Sequence, residues 1–517
     1  MNTDDSALTL LAAERRVLEI QTKLHRWATN DPHKPFNDLF NLVADPAFLL
    51  VAWYRVRGNK GAKTPGVDGR TAVSIQFGPG VEPFLAQLRG ALRDRSFTPL
   101  PVRERMIPKP DGRLRRLGIP TIADRVVQAS LKLVLEPIFE ADFHPCSYGF
   151  RPNRRAHDAI AEMVFLTMGQ RKFDWIVEGD IKACFDEIDH TALMGRVRRR
   201  VGDKRVLALV KAFLKAGILS EERMLRKTDV GAPQGAILSP LLSNVALSVL
   251  DDFVAQAPGG PSLKGYQRQA RRRRGLPTYR LVRYADDWCL MITGTQTDAE
   301  MLRDEIAGVL ATMGLRLSPE KTLITHIEQG VDFLGWHVQR HVKKGTIDQC
   351  FVYNYPSKKA LANVTGKIKT LCRHTLNQDL ADLLLPINQL LQGWCTYFKT
   401  GVSFQTFQYL RAFVWKHVWM WIRRKHPKSN WKELRRRYCA GGWWPSDNGV
   451  TLFNPDAVRT IRYRYRGAAI PTPWSDRHED RNRPKETCGE PDTSRGVRPV
   501  REAVKENPPA VMLAGRP

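Results

Sequence analysis

The sequence predicts an α+β body followed by an all-α module, on three observations. Between about residues 100 and 355, short apolar strands alternate with amphipathic helices, separated by Pro, Gly and Asp turns. From about residue 356 the pattern becomes sustained helical periodicity, rich in aromatics, with 16 Lys or Arg and three acids over 356–440. The 517 residues exceed one compact domain, so several packed modules are expected.

In chain order, residues 5–29 predict a helix, with Leu8, Leu10, Leu11, Val17 and Leu24 set between charges; Asn30-Asp31-Pro32 stops it. Residues 36–57 carry further helical apolar spacing. The glycine-rich run 58–69 is a loop whose lysines suit either a plain surface turn or a phosphate contact. Residues 81–95 predict an amphipathic helix. Next come a strand, a turn at Pro110-Asp111-Gly112 and a second strand. This hairpin bears Arg103, Arg105, Lys109, Arg113, Arg115 and Arg116, and an apolar helix follows from about Ile122.

Residues 174–181 predict a strand ending in a carboxylate. Helices follow over about 190–201 and 203–216; the tight loop 231–235 (GAPQG) precedes a long apolar helix over 237–255. Residues 258–275 are Pro- and Gly-rich and end in Arg271–Arg274. No acid occurs between Lys264 and Arg283, so this segment is either a solvated loop or a contact to a phosphate backbone. LVRYADDWCLMITG predicts strand, turn, strand; 297–313 a helix; and 315–338 further short strands.

Composition narrows the function. Lys and Arg number 81 against 53 Asp and Glu, a net charge of +28, which attracts polyanions, nucleic acid first among them. With 43% hydrophobic residues the chain is not mostly disordered. The eight cysteines are scattered without CxxC or zinc spacing, which fits reduced thiols. The N-terminus reads as neither signal peptide nor anchor, and no 18-residue apolar run occurs. A cytoplasmic protein with no membrane partner is expected.

The sharpest local feature is Tyr284-Ala285-Asp286-Asp287 between apolar runs. Adjacent carboxylates repel when buried together, and a divalent cation relieves that repulsion. Oxygen-only ligands suit Mg²⁺. A metal-free Asp-Asp turn is the plainer alternative. Asp180 also ends an apolar strand, and two such strand ends can meet in one sheet to hold two metal ions for phosphoryl transfer. Asp186 and Asp189 compete for that role, although Asp189 or Thr191 suits a helix cap.

Seven blocks then occur in order: IPKPDGRLRRLGIP (107–120), SYGFRPNRRAHDAI (147–160), IVEGDIKACFDEIDH (176–190), GAPQGAILSPLLSNVAL (231–247), RYADDWCLM (283–291), LRLSPEKT (315–322) and FLGW (333–336). Their order resembles the fingers and palm of reverse transcriptases, most closely the reverse transcriptase/maturases encoded by bacterial group II introns. The block 390–401 (LLQGWCTYFKTG) and the LRAFVWKHVWMWIRRK that follows are similar to the thumb or maturase region of that family. The resemblance covers roughly residues 36–440.

It implies a right-hand polymerase fold. Residues 1–35 would be an N-terminal helical extension, 36–172 fingers with part of the palm, and 173–355 the palm with its carboxylates. A helical thumb/maturase module would span 356–444, and a basic, partly disordered tail, with a possible DNA contact, 445–517. Asp180 and Asp286 would bind two Mg²⁺ ions, with Mn²⁺ as a substitute, and Asp287 would support them. Lys109 and Arg115 would meet the incoming triphosphate, with Arg116 an open alternative to Arg115. Phe185 would exclude a ribose 2′-hydroxyl, and Lys321 would protonate the leaving pyrophosphate. Pro233, Gln234 and Gly235 would lie at the templating pair, Arg151 and Asn153 at the template strand, and Phe333 and Gly335 at the primer end.

The implied partners are group II intron RNA, an RNA template with a DNA primer, deoxynucleoside triphosphates and target DNA. The implied activity is RNA-directed DNA synthesis together with assistance to intron splicing. Many relatives end in an endonuclease with paired cysteines. Here the tail carries Cys488 alone, so none is expected. A reverse transcriptase of a defence or diversity-generating system, and a non-enzymatic splicing factor, are the competing readings; retention of Asp180, Asp286 and Asp287 favours an active enzyme.

Overall fold

Four antiparallel strands carry the candidate site, in the order Thr278–Tyr284, Asp287–Thr293, Trp175–Asp180, Leu323–His326. The two central strands read as continuous apolar runs because both faces of the sheet are covered. Alternation sorts their side chains. Val177, Leu281, Trp288, Leu290 and Ile292 join one core, and Ile176, Val282, Cys289 and Met291 join another. The helices Ile122–Asp142, Ser239–Gln256 and Gln296–Ala311 supply the first core. The helix Ala156–Thr167, the turn around Phe333 and the helices bearing Cys395, Phe398 and Phe407 supply the second.

The computed structural model describes residues 3–475, apart from 109–111, 113, 172, 221–223, 227–229, 232–234, 344, 347–348, 375, 440–441 and 468–469. At the N-terminus, Thr3–Asn30 packs on Ile122–Asp142 and Pro46–Gly58. The basic hairpin forms as the spacing predicts, from Val102–Pro108 and Leu114–Ile119. The glycine-rich 58–69 loop is pinned by Arg125, whose guanidinium donates to Gly61 O at 2.7 Å and Thr64 O at 2.9 Å. Asp189 caps its helix, accepting from Ala192 N at 2.7 Å.

A three-stranded sheet (Val331–Phe333, Trp336–Val342, Cys350–Pro356) leads into four helices: Lys358–His374, Leu380–Phe398, Phe404–Lys425 and Trp431–Cys439. Trp419 and Trp421 are buried there, and Trp415 lies 5.8 Å from Trp419, so these aromatics pack the module. The molecule is thus an α+β fingers-and-palm body followed by a helical module.

Two segments differ from the sequence pattern. The 258–275 stretch contains a helix, Gly265–Arg273. Residues 458–467, which carry no periodicity, form an extended arm along Ala156–Thr167, and 470–475 are described beyond it. Tyr463 Oη donates to Asp158 at 3.0 Å, Arg466 pairs with Asp158 at 2.5 Å, and Tyr465 Oη donates to Glu162. Trp474, beyond the arm, donates to Gln21 of the N-terminal helix.

Candidate active site

Register brings the carboxylates together. Asp180 is the direct cross-strand partner of Asp287, and Tyr284 pairs with Asp287 to close the two-residue turn Ala285-Asp286. Ala285 has φ +58°, a conformation glycine holds more cheaply, so the turn is strained. Loss of hydration raises the Asp286 pKa; the Asp180 charge adds to this, while Arg115 and Arg283 oppose it. Loss of hydration, then the like charges of Asp286 and Asp180, push Asp287 up to about 6, although its side chain reaches solvent. Two carboxylates thus hold unfavourable negative charge beside a third. A cation bound between them relieves it.

The lysine-bearing turn is laid along the same strand end. Ser318 N donates to Asp180 O at 2.8 Å, and Lys321 Nζ lies 2.8 Å from Asp180 Oδ2. Phe185, half-buried, opens the short helix Cys184–Glu187 that follows the Asp180 strand. Arg115 is exposed and acts electrostatically on Asp286, whereas Arg116 sits 3.8 Å from Glu104. Of the two arginines, then, Arg115 is the one whose charge acts on Asp286. Gly235 has φ +105° and packs on the same hairpin; a Cβ there falls 2.7 Å from Leu117 and 2.9 Å from Gly118 O. Lys109, Pro233 and Gln234 lie outside the described residues.

Phe333 is buried, and the turn after it puts Leu334 and Gly335 at positive φ. Tyr397 Oη donates to Leu334 O at 2.9 Å, fastening this turn to the helical module. Asn153 is exposed at φ +59°, and its amide donates to Pro471 O, beyond the arm, at 3.0 Å. Arg151 requires a correction. Its side chain is 3% exposed, pairs with Glu140 at 2.7 and 2.9 Å and donates to His144 O and Ser147 O. A guanidinium so enclosed holds the chain together and does not reach a template.

Behind the turn lies a polar network that the motifs do not reveal. Arg283 is wholly buried; it pairs with Asp251 and donates to Ser147 Oγ, Asn244 Oδ1 and Ala285 O. Asn244 donates in turn to Gly149 O at 2.8 Å. Gly149 lies so close that a Cβ falls 2.3 Å from Ala285 N. Asn244 and Asp251 are seven residues apart, hence on one face of a mostly apolar helix. That polar pair, and a charge inside LVRY, are the signals the sequence offers.

Among the described residues no group of three or more His, Cys, Asp or Glu side chains is arranged to hold a metal ion, and no helix is long and apolar enough to cross a membrane. Two carboxylates, with waters and phosphate oxygens to complete the shell, are a donor set that Mg²⁺ would accept.

The comparisons agree with this geometry. Residues 107–338 match the family model for reverse transcriptase (RNA-dependent DNA polymerase), and residues 361–439 match the group II intron maturase-specific domain. Protein YkfC of Escherichia coli is 38% identical over 340 residues, covering 63% of this chain and 88% of that protein. The group II intron-encoded protein LtrA of Lactococcus lactis is 32% identical over 402 residues, covering 69% and 62%. The putative COX1/OXI3 intron 1 protein of Saccharomyces cerevisiae is 27% identical over 401 residues, covering 71% and 46%. Two matched modules in this order, and relatives that align across them, mean that the chain belongs to the family of group II intron-encoded reverse transcriptase/maturases.

Proposed function

We propose that this RNA-directed DNA polymerase copies intron RNA into cDNA at Asp180 and Asp286, and that its helical module binds the same RNA to promote splicing. The observation that carries the site is the cross-strand pairing of Asp180 with Asp287 around the strained Ala285-Asp286 turn. Its unfavourable negative field fits divalent cations. Asp180 and Asp286 would hold Mg²⁺, or Mn²⁺ in its place, which when bound would supply Lewis-acid chemistry for activating the primer 3′-hydroxyl and neutralising charge on pyrophosphate. Asp287 tunes that field from the adjoining strand.

The chain's own groups do the rest. Arg115, with Lys109 six residues before it, holds the triphosphate through charge-assisted hydrogen bonds. Phe185 stands where it can close the sugar 2′ position, which selects deoxynucleotides. The Lys321 ammonium, already beside Asp180, is placed to give a proton to the leaving group. Pro233, Gln234 and Gly235 bring backbone against the templating pair. Asn153 lies along the template strand, and Phe333 and Gly335 support the primer end. The basic helical module follows the RNA–DNA duplex and meets structured intron RNA. Target DNA is a further partner, through the basic residues beyond 445.

A Mg²⁺ titration read by thermal melting tests the metal assignment without using activity. Binding to the native state raises the melting midpoint of the parent. The Asp180→Asn/Asp286→Asn double variant is expected to lose most of that rise. An equal rise in both proteins places the cation elsewhere.

A further inference from the structure

The helix Gly265–Arg273 buries no residue and stands on the palm through its arginines. Arg271 Nε donates to Pro277 O at 3.2 Å, Arg268 donates to Leu263 O, and Arg272 lies over the Phe173 ring at 5.4 Å. Arg171 lies over the Phe165 ring at 3.8 Å. Partial burial lowers the Arg272 pKa, and the charges of Arg268 and Arg171 lower it further. Arg280 is lowered to about 10 by burial and by Arg268 and Arg272. Arg171, Arg268, Arg272 and Arg280 therefore form one cluster.

Little compensates this charge. Glu162 is one carboxylate facing both Arg280 and Arg171, and it already accepts from Tyr465 Oη of the arm. Among the described residues neither these four arginines nor Arg271, Arg273 and Arg274 make an ion pair. Arg171 donates to Phe165 O at 3.3 Å, whereas Arg272, stacked on Phe173, keeps its N–H edge for a planar bidentate anion, and phosphate is the partner that edge fits best. Like charges that outnumber their acids oppose folding, and a polyanion reverses the sign of that term.

The place of the cluster matters as much as its charge. Phe173 lies just before the Trp175–Asp180 strand, and the arginine helix just before the Thr278–Tyr284 strand. The arginines gather at the start of both strands, while Asp180 ends the first and the Ala285-Asp286 turn follows the second. Six or seven residues at about 3.3 Å each separate the two ends by roughly 20 Å.

We propose that this cluster is a second RNA site, which grips the phosphate backbone of double-helical RNA while the carboxylate cleft holds template and primer. The proposal rests on the reading of the chain as an RNA-copying enzyme. It adds a contact on the palm, apart from the helical module, that holds double-helical RNA while the cleft copies. A nine-residue helix is about 13 Å long, a rigid edge suited to backbone contacts that do not read sequence.

The test uses the full chain and a fluorescein-labelled RNA hairpin of about 20 base pairs, a length chosen to cover two successive minor grooves. The variant is Arg268→Gln/Arg272→Gln/Arg273→Gln/Arg274→Gln. Hairpin affinity is expected to fall at least tenfold, and the slope of log affinity against log salt to flatten by about 3. Saturating oligo(dT)–poly(rA) is expected to leave the parent's hairpin binding in place. Unchanged affinity and slope overturn the proposal, as does displacement of the hairpin by primer–template. Equal binding of a DNA hairpin of the same sequence overturns the assignment to RNA. If the parent binds the hairpin through these arginines but extends no primer, the polymerase reading fails and the second site stands.

Discussion

Arg283 and Asp251 form a two-pronged ion pair in the centre of the palm: Nε to Oδ1 at 2.7 Å and Nη2 to Oδ2 at 2.6 Å, with both side chains at 0% exposure. The same guanidinium also donates to Ala285 O in the Ala285-Asp286 turn. The pair therefore fixes the backbone that presents Asp286, three residues on. Removing one partner leaves a buried charge uncompensated, which costs about 3–5 kcal/mol. Asp251→Ala is expected to lower the melting midpoint sharply. Arg283→Lys keeps the charge but loses the fork, so it is expected to melt nearer the parent yet extend primers poorly. Parent-like melting of Asp251→Ala contradicts this account.

Gly149 tests the same turn from the other side. A Cβ there meets backbone, 2.3 Å from Ala285 N and 2.8 Å from Tyr284 C, so no flexible side chain can give way. Gly149→Ala is expected to shift the turn and to reduce the rate of primer extension about tenfold or more, because small misplacements at a reacting centre are costly. RNA affinity is expected to hold. A parent-like rate shows that the turn tolerates displacement.

Charge at Asp287 gives a pH signature. Its native pKa is raised to about 6 from an ordinary 3.8. Between those values the native state holds more proton than the unfolded chain, so metal-free stability falls as pH rises through that window. Asp287→Asn removes this dependence. In EDTA, its melting midpoint is expected to fall less between pH 4 and 6 than the parent's, by on the order of 1 °C. Superimposable curves contradict the assignment.

Arg115 and Arg116 separate kinetically. Arg115 acts on Asp286, while Arg116 lies beside Glu104. A hydrogen bond to a charged group contributes about 1.5–3 kcal/mol. Arg115→Ala is thus expected to raise KM for a deoxynucleoside triphosphate about tenfold or more, and Arg116→Ala far less. The reverse order exchanges their roles.

The sequence makes legible those parts of the molecule that local patterns encode. The strand ending at Asp180 and the YADD hairpin show as apolar runs closed by carboxylates, and the cap at Asp189 follows from its residue type. What stays hidden is spatial. Arg151 carries the charge and the motif of a nucleic-acid contact, yet Glu140, eleven residues before it, encloses it. Asn244 and Asp251 meet Arg283 only once helix and strand pack together. The arm bearing Tyr463 and Arg466, and Trp474 beyond it, have no period to betray them, because their partners lie some 300 to 450 positions away.

The central claim is that the carboxylates at 180 and 286 perform RNA-templated DNA synthesis. Primer extension by the purified chain, on oligo(dT)–poly(rA) with Mg²⁺ and dTTP, tests it most directly beside Asp286→Ala. The account predicts extension by the parent, none by the variant, and similar RNA binding by both. Synthesis that persists in Asp286→Ala contradicts it.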